Sequence, residues 1–360
     1  MGFDSVGITH ELTSFTNLNL LNGQGDDLTH ETPILELGIL DSLSMVSLLS
    51  FIEETYGVRI SEDQIVPQHF SDLASITQLI ISMSDGQTRA SSLQDELRQL
   101  VSLQRSYGLK SKEIDTIRGR HHVLETKGAE PAWVLLPALG NPSTSWAHVM
   151  RTLSGEQKTI APDFGGFGLS VYADDAPTYR DHVDATLSLL DQIIHAPIVL
   201  VASSAGAMIA TEVARQRPDK VKALIITGFG LIEEPTGWWR NLQAMSETPQ
   251  KFMDAAYYTP PELTPALLRI LEDVLARPAY HNFLDVEGLA EMSTTFDNID
   301  LPTLFVAGED DQIIGRKAVE AACKLIPNAR IEWIARCGHF PPVERPQPFL
   351  WYVREFLNSL

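Results

Sequence analysis

Two patterns of hydrophobic and polar residues divide this chain. Up to about residue 84 the apolar residues recur at helical spacing, whereas from about residue 113 short apolar runs alternate with helical stretches. The first pattern is typical of helices that bury one face, and the second of a mostly parallel sheet covered by helices. We therefore predict an all-α domain at residues 1–84, a partly helical linker at 85–112 and an α/β domain at 113–360.

The first domain is predicted to be a four-helix bundle. Its helices are expected at residues 4–21, from about Ser42 to Tyr56, near Gln68, and after Ser71, which would cap the last one. In the second helix, apolar residues at spacings of three predict one buried stripe, formed by Leu43, Val46, Leu49 and Ile52. Gly57 follows, at a position where a left-handed residue commonly ends a helix.

The second domain is predicted to contain six buried strands. They are expected at Ala132–Leu136, Thr159–Ala161, Ile198–Val201, Ala223–Ile226, Leu304–Ala307 and Ile331–Ile334. Helices are expected at Trp146–Leu153, Tyr179–Ile194, Ala205–Arg215, Lys317–Leu325 and Gln347–Leu357. The long interval before the last-but-one strand predicts a helical cap at about 229–301, inserted over the carboxyl ends of the strands.

The charge of the chain is negative and unevenly distributed. The formal net charge is -20, and residues 1–85 hold 13 acidic residues against one basic residue, Arg59. Such a field repels phosphate backbones, so binding of nucleic acid is not expected. The acidic surface has two interpretations, a solvated face or a docking face for basic patches on partner enzymes.

Composition predicts a globular protein with neither a membrane anchor nor a metal centre. Hydrophobic residues make up 44% of the chain, which suits a protein that buries a sizeable core. No apolar run approaches membrane-spanning length, and no secretory signal is expected after Met1. Cys323 and Cys337 give no disulfide framework, so a reduced cytoplasmic setting is expected. No cluster of histidines and carboxylates has metal-ligand spacing.

Ser42 lies in the motif Leu37-Gly38-Ile39-Leu40-Asp41-Ser42-Leu43-Ser44. A serine at the start of a helix is usually an N-cap, and that is one interpretation. The whole motif, set in an acidic four-helix domain, closely resembles the phosphopantetheine site of carrier proteins from polyketide, fatty-acid and nonribosomal peptide synthesis. The resemblance implies 4′-phosphopantetheine linked to Ser42, at a helix N-terminus that stabilises a phosphate. It does not distinguish an acyl carrier from an aminoacyl or peptidyl carrier.

A second motif places Ser204 where a buried strand turns into a helix. Ser204 holds the central position of a Gly-x-Ser-x-Gly pattern in which Gly206 is kept and Ala202 replaces the first glycine. Small residues are needed there because the turn packs the strand closely against the helix. Further along the chain, Asp311 and His339 each follow a predicted strand, and Asp310 is an alternative to Asp311.

This order of serine, acid and histidine resembles the α/β-hydrolase superfamily over about residues 113–360. The loop Asp163–Ser170 also fits the pattern Asp-x-x-Gly-x-Gly-x-Ser that is often found in that family. The resemblance implies Ser204 as nucleophile, His339 as base and Asp311 as the acid that orients it. It also implies an oxyanion hole from the backbone N–H groups of Ala205 and Leu139. The family often has His-Gly after its third strand, whereas this chain has Pro137-Ala138-Leu139-Gly140. This difference would reshape the oxyanion hole without abolishing it.

Together the two resemblances imply a carrier–thioesterase pair. An acyl, aminoacyl or peptidyl thioester on the Ser42 arm would pass to Ser204 and leave by hydrolysis or cyclisation. The alternatives are an acyltransferase acting on an amine, alcohol or second carrier, and a carrier that serves other enzymes beside an independent esterase. Expected partners are a phosphopantetheinyl transferase and separate loading or synthase enzymes. Trp238 and Trp239 are expected either to pack within the cap or to line an acyl pocket.

Overall fold

The computed structural model divides the chain into two units. Residues 1–109 together with 261–271 form the first unit, and residues 110–260 together with 272–360 form the second. The structure describes residues 5–21, 23–25, 27–58, 60, 64–83, 97–98, 101–102, 104–105, 108–128, 131–153, 157–172, 176–283 and 294–360. Most of the predicted linker lies outside the described residues.

The first unit is helical, as predicted. Its helices are α1 (Ser5–Phe15), which continues as a π-helical turn at Thr16–Leu20, α2 (Ser42–Tyr56), α3 (Pro67–Phe70) and α4 (Leu73–Met83). They enclose a core of their own, built from aliphatic side chains with Phe15 and Phe70. The predicted bounds of α2 are confirmed, and Gly57 follows it with a φ of +64°.

The buried face of α2 differs from the predicted stripe. Met45, Leu48 and Ile52 are 0% exposed, whereas Leu49 is only partly buried. Spacings of three and four keep side chains on one face of a helix with 3.6 residues per turn, while a uniform spacing of three drifts around it. The side chain of Leu43 lies outside the described residues.

The second unit is built on a sheet of nine strands within the described residues. They are β1 (Lys110–Thr116), β2 (Gly119–Glu125), β3 (Pro131–Leu136), β4 (Lys158–Pro162), β5 (Val171–Tyr172), β6 (Ile198–Ser203), β7 (Val221–Thr227), β8 (Thr303–Gly308) and β9 (Ala329–Ile334). Their order is β1-β2-β4-β3-β6-β7-β8-β9, and β5 pairs with β2. Pairing is parallel from β4 to β9 and antiparallel at β1, β2 and β5. The predicted mostly parallel sheet is confirmed.

Helices cover this sheet and extend over its carboxyl edge. Those on the sheet are α5 (Ala147–Leu153), preceded by a 3-10 turn at Ser143–Trp146, α6 (Tyr179–Ile193), α7 (Ala205–Gln216), α12 (Arg316–Leu325), α13 (Pro341–Glu344) and α14 (Pro346–Asn358). Between β7 and β8 lie α8 (Pro235–Met245), α9 (Pro249–Ala256), α10 (Pro265–Ala276) and α11 (Pro278–Asn282). Each of these four begins at a proline, which suits a first helical turn whose N–H groups have no helical acceptor. They lie in the interval predicted for the cap, but residues 261–271, which include the first part of α10, group with the first unit.

The strand that positions the site is β6. It lies between β3 and β7, and all six of its residues are buried. Because parallel strands end at the same edge, the residues that follow β3, β6, β7 and β8 meet there. Among the described residues, no helix combines the length and the apolar character needed to cross a membrane.

Candidate active site

Ser204 occupies the sharp turn between β6 and α7. Its backbone has φ +52° and ψ -121°, a left-handed conformation that is strained for a residue with a side chain. The turn is held by two hydrogen bonds: the Ser204 N–H donates to Thr227 O at 2.9 Å, and the Ala207 N–H donates to Ser204 O at 2.8 Å. A Cβ on Gly206 would lie 2.4 Å from the carbonyl oxygen of Pro137, so only glycine fits there. This geometry lifts the serine hydroxyl out of the strand.

The structure brings Ser204, His339 and Asp311 into one hydrogen-bonded chain. His339 Nε2 lies 2.9 Å from Ser204 Oγ, and His339 Nδ1 lies 2.9 Å from Asp311 Oδ2. The histidine is 2% exposed. A neutral imidazole with its proton on Nδ1 donates to the carboxylate and accepts from the serine hydroxyl, which is the arrangement that activates a serine.

The loop after β8 separates the two adjacent aspartates. Asp311 Oδ1 accepts from the N–H groups of Ile313 and Ile314 at 2.8 and 2.9 Å, which leaves Oδ2 for His339. Asp310 is exposed, and its N–H donates to the carbonyl of Cys337. The acid in contact with the histidine is therefore Asp311, the preferred of the two candidates.

The two tryptophans of the predicted cap have different surroundings. Trp238 Nε1–H donates to the carbonyl of Ile313 at 3.0 Å, so α8 is tied to the turn that holds the Asp311 carboxylate. Trp239 is 9% exposed, and the two rings stack with centroids 6.4 Å apart. Trp238 therefore contacts the Asp311 turn and both rings pack together within α8, while a role in lining an acyl pocket stays a prediction.

The two predicted oxyanion donors lie in the turn that carries Ser204 and in the loop after β3. Ala205 is the first residue of α7, where a backbone N–H has no acceptor within the helix. Leu139 is partly buried in the loop after β3, next to Gly140 with φ +83°. Val274 of α10 packs so closely on Gly140 that a Cβ there would lie 2.4 Å from its Cγ1. Both N–H groups stay predicted donors.

Asp163 is a buried residue whose role the sequence analysis left open. Its carboxylate accepts from His122 Nδ1 at 2.9 Å, from the N–H of Leu169 at 2.8 Å, and from the N–H of Ser143. Burial by itself raises the pKa of Asp163, but these hydrogen bonds outweigh it and hold the pKa below its usual range. Because Ser143 ends the loop that carries Leu139, Asp163 anchors that loop. The sequence could have indicated this role, because Asp163 is the first residue of the loop Asp163–Ser170 that fits the family pattern.

Ser42 begins α2, but the cap of that helix is its neighbour. Asp41 Oδ1 accepts from the N–H and the hydroxyl of Ser44 at 2.8 and 2.7 Å, and the Asp41 N–H donates to Ser44 Oγ at 2.6 Å. This reciprocal pair caps the start of α2 through Asp41 and Ser44. A serine at a helix N-terminus fits the attachment of a phosphate group. The side chain of Ser42 is outside the described residues.

Neither cysteine competes with Ser204. Cys337 is buried two residues before His339, and burial raises the pKa of its thiol, which keeps it protonated. Cys323 is partly buried, and both thiols are free. In the described ranges, no group of three or more His, Cys, Asp or Glu side chains could hold a metal ion.

The class defined by this fold and site agrees with comparisons to known families. The model of the "Alpha/beta hydrolase family" matches residues 133–350, which is more than half of the chain. A second model, "Phosphopantetheine attachment site", matches residues 19–80. The chain therefore belongs to the α/β-hydrolase family and carries a phosphopantetheine-binding carrier domain before the hydrolase domain.

Two curated proteins are similar to this chain, one along both domains and one over a shorter part of it. Polyketide synthase ThaQ of Burkholderia thailandensis is 27% identical over 358 residues, covering 92% of this chain and 17% of that protein. The 2-hydroxymuconate semialdehyde hydrolase of Pseudomonas sp. (strain CF600) is 26% identical over 253 residues, covering 65% of this chain and 89% of that one. The chain is thus a carrier–hydrolase didomain related to a polyketide synthase.

Solved structures confirm the hydrolase fold. A putative lipase from Acinetobacter baumannii AYE superposes with a TM-score of 0.62 at 20% identity, covering 76% of this chain and 100% of that one. Carboxylesterase CesB from Bacillus subtilis gives 0.60 at 17% identity, covering 74% and 99%. At these identities the likeness concerns the fold alone.

Proposed function

We propose that this protein is a thioesterase that releases an acyl or peptidyl chain from its own carrier domain. The observation that carries the proposal is the hydrogen-bonded chain Ser204–His339–Asp311 in the same polypeptide as a phosphopantetheine attachment site. The similarity to ThaQ supports it, because that match runs through both domains. When attached to Ser42, phosphopantetheine supplies a terminal thiol that carries the chain as a thioester.

Ser204 and His339 carry out the first half of the reaction. Ser204 Oγ attacks the thioester carbonyl carbon while His339 Nε2 takes its proton, and the Asp311 carboxylate stabilises the resulting imidazolium. The backbone N–H groups of Ala205 and Leu139 stabilise the oxyanion. The carbon–sulfur bond then breaks, and His339 returns the proton to the departing sulfur. The acyl group is now an ester on Ser204.

The second half frees Ser204. His339 Nε2 takes a proton from a water molecule, whose oxygen attacks the ester carbonyl, and the proton then passes to Ser204 Oγ as the carbon–oxygen bond breaks. A hydroxyl within the acyl chain would give a cyclic product by the same steps. In both cases the residues of the site return to their starting protonation.

A single-turnover assay tests this function. The carrier is loaded with an acyl-phosphopantetheine by a phosphopantetheinyl transferase, and loss of the acyl mass is followed by intact-protein mass spectrometry. Ser204→Ala is expected to slow deacylation by about 10³-fold or more, and Asp311→Asn by a similar factor. In both variants the loaded form should accumulate.

Neighbouring residues provide matched controls for this assay. Ser203→Ala and Asp310→Asn change the same residue types one position away and are expected to stay within about three-fold of the parent rate. Unchanged deacylation in Ser204→Ala would contradict the thioesterase proposal. Turnover that appears only when an amine or alcohol is added would instead identify an acyltransferase.

A further inference from the structure

Glu344 ends α13 five residues after His339, and its carboxylate turns back onto the loop that carries the histidine. Glu344 Oε1 accepts from the N–H of Gly338 at 2.9 Å and from the N–H of Phe340 at 3.3 Å. These are the two residues on either side of His339. One oxygen of Glu344 therefore holds the backbone both before and after the imidazole.

The second oxygen of Glu344 connects the same loop to the end of α9. Glu344 Oε2 accepts from the N–H of Tyr258 at 2.9 Å, two residues beyond the end of that helix. From the other direction, the His339 N–H donates to the carbonyl of Ala256 at 2.6 Å. The histidine loop and the segment 256–258 are thus joined by hydrogen bonds in both directions.

Close packing leaves this junction little freedom. A Cβ on Gly338 would lie 2.3 Å from Ala256 O and 2.9 Å from Tyr257 Cα, so the two backbones are in direct contact. The rings of Tyr257 and Phe340 pack with their centroids 5.3 Å apart. A shift of segment 256–258 would therefore move the backbone on which His339 is mounted.

The partners of Glu344 distinguish it from an ordinary surface acid. Within the described residues, its carboxylate accepts only from backbone N–H groups and forms no ion pair with a lysine or arginine. Burial raises the pKa of Glu344, and the three N–H groups oppose that shift. Three donors on one partly buried carboxylate suit a clamp on the backbone.

We propose that Glu344 is the positioning residue for His339: it fixes the loop 338–340 against segment 256–258, so that Nε2 stays within hydrogen-bond distance of Ser204 Oγ. The inference rests on the proposed serine mechanism. It assigns Glu344 no contact with the acyl group. Its effect should therefore fall on the rate of acyl transfer and not on the binding of the thioester.

The test compares Glu344→Ala and Glu344→Gln in the full chain, with Glu355→Ala, an exposed acid on α14, as the control. The substrate is a soluble acyl-N-acetylcysteamine thioester, and active Ser204 is counted by end-point reaction with a fluorophosphonate. Glu344→Ala is expected to lower kcat per active serine by about ten- to a hundred-fold with KM within three-fold, because a small displacement of a reacting group has effects of this size. Glu344→Gln keeps one acceptor oxygen and should recover part of the loss, and Glu355→Ala should match the parent.

A structural role alone would reduce the number of active serines and leave kcat per active serine unchanged, and that result would overturn the proposal. If Glu344→Ala does not fold, the same criterion applies to Glu344→Gln. A second readout is independent of turnover: the low-field proton resonance of His339 Nδ1–H, identified by its loss in Asp311→Asn, should shift or broaden in Glu344→Ala. If the parent chain lacks turnover but this resonance responds, the thioesterase proposal fails and the positioning role stands.

Discussion

At the scale of single residues, the side chain that makes a predicted contact can be one position away from the residue that the sequence indicates. Asp41 caps α2 through the Ser44 N–H, and Asp72 accepts from the Ser75 N–H at 2.8 Å and so caps α4, where Ser71 was predicted. Asp311 contacts His339, and Asp310 is exposed. The residue types were predictable, but a shift of one position turns a side chain away from its partner.

His182 is a residue whose pKa leads to a measurable pH dependence. It is 0% exposed, packs against Phe164 and Phe283 with centroids 5.4 and 5.5 Å away, and neither ring nitrogen has a hydrogen-bond partner within the described structure. Burial lowers the pKa of His182 to about 3. The unfolded chain takes up a proton at His182 below pH of about 6.5, and the folded chain does so only near pH 3. The stability contributed by the neutral ring is therefore complete above pH of about 6.5 and is lost as the pH falls toward 3.

His182→Phe should flatten this dependence. The free energy of unfolding of the parent should fall as the pH drops from about 6.5 to 4.5, with up to about 1.4 kcal/mol per pH unit from His182, and His182→Phe should remove that part of the slope. Urea unfolding followed by tryptophan fluorescence measures it, because all six tryptophans lie in residues 110–360. His195→Gln, at an exposed position, should keep the parent slope. Equal slopes in the His182 and His195 variants would contradict the assignment.

Helices and strands with a strong pattern were predictable, and those with a weak pattern were not. All six predicted strands are present, and five of them are the continuous apolar runs expected of parallel strands buried on both faces. The sixth, β9, was predicted to be buried, but it lies at the end of the described sheet and only Ile334 of it is buried. The strand β1, with the sequence KSKEIDT, begins inside the segment predicted as a linker. It is an edge strand paired only with β2 in the described sheet, so its residues face water and carry little hydrophobic signal.

The junction of β6 and α7 should be intolerant of even a methyl group. Gly206→Ala would bring a Cβ to 2.4 Å from Pro137 O and 2.9 Å from Leu136 O, both backbone atoms that cannot move aside. We expect it to lower the free energy of unfolding by about 1–3 kcal/mol and to reduce deacylation by displacing Ser204. Gly315→Ala, where nothing lies within 4 Å of the added atom, should change stability by less than about 0.5 kcal/mol. The urea midpoints of the two variants measure this difference. Equal losses of unfolding free energy in the two variants would show that the turn between β6 and α7 can accommodate a methyl group.

The chain as a whole joins a carrier domain to a hydrolase domain through the segment between α4 and β1. α4 ends at Met83 and β1 begins at Lys110. Tethering raises the local concentration of a bound group to roughly millimolar levels for short connections, well above that of free encounter at micromolar protein. The acidic charge is concentrated in residues 1–85, and both interpretations of it, a solvated face and a docking face for basic partner enzymes, stay predictions.

Delivery within one chain predicts a deacylation rate that does not depend on protein concentration. Loaded Ser204→Ala protein mixed with Ser42→Ala protein separates the two functions onto different molecules. At about 1 μM each, this mixture should deacylate about a hundred-fold more slowly than the loaded parent, and its rate should rise with concentration. Mass spectrometry over a dilution series provides the measurement. A mixture as fast as the parent at 1 μM would mean that the carrier delivers its group to other molecules.

The sequence by itself determined the periodic elements of both domains and the serine, acid and histidine at strand ends, because periodicity and turn chemistry are local properties. Parallel strands end at one edge of a sheet, so residues 28 and 135 positions from His339 could be expected to meet there. Only the tertiary structure decided that Asp311 faces the imidazole, that Asp163 anchors the loop of Leu139, and that Glu344 holds the backbone around His339. These are contacts between chain segments that are distant in sequence or depend on one exact turn, and no local pattern encodes their geometry.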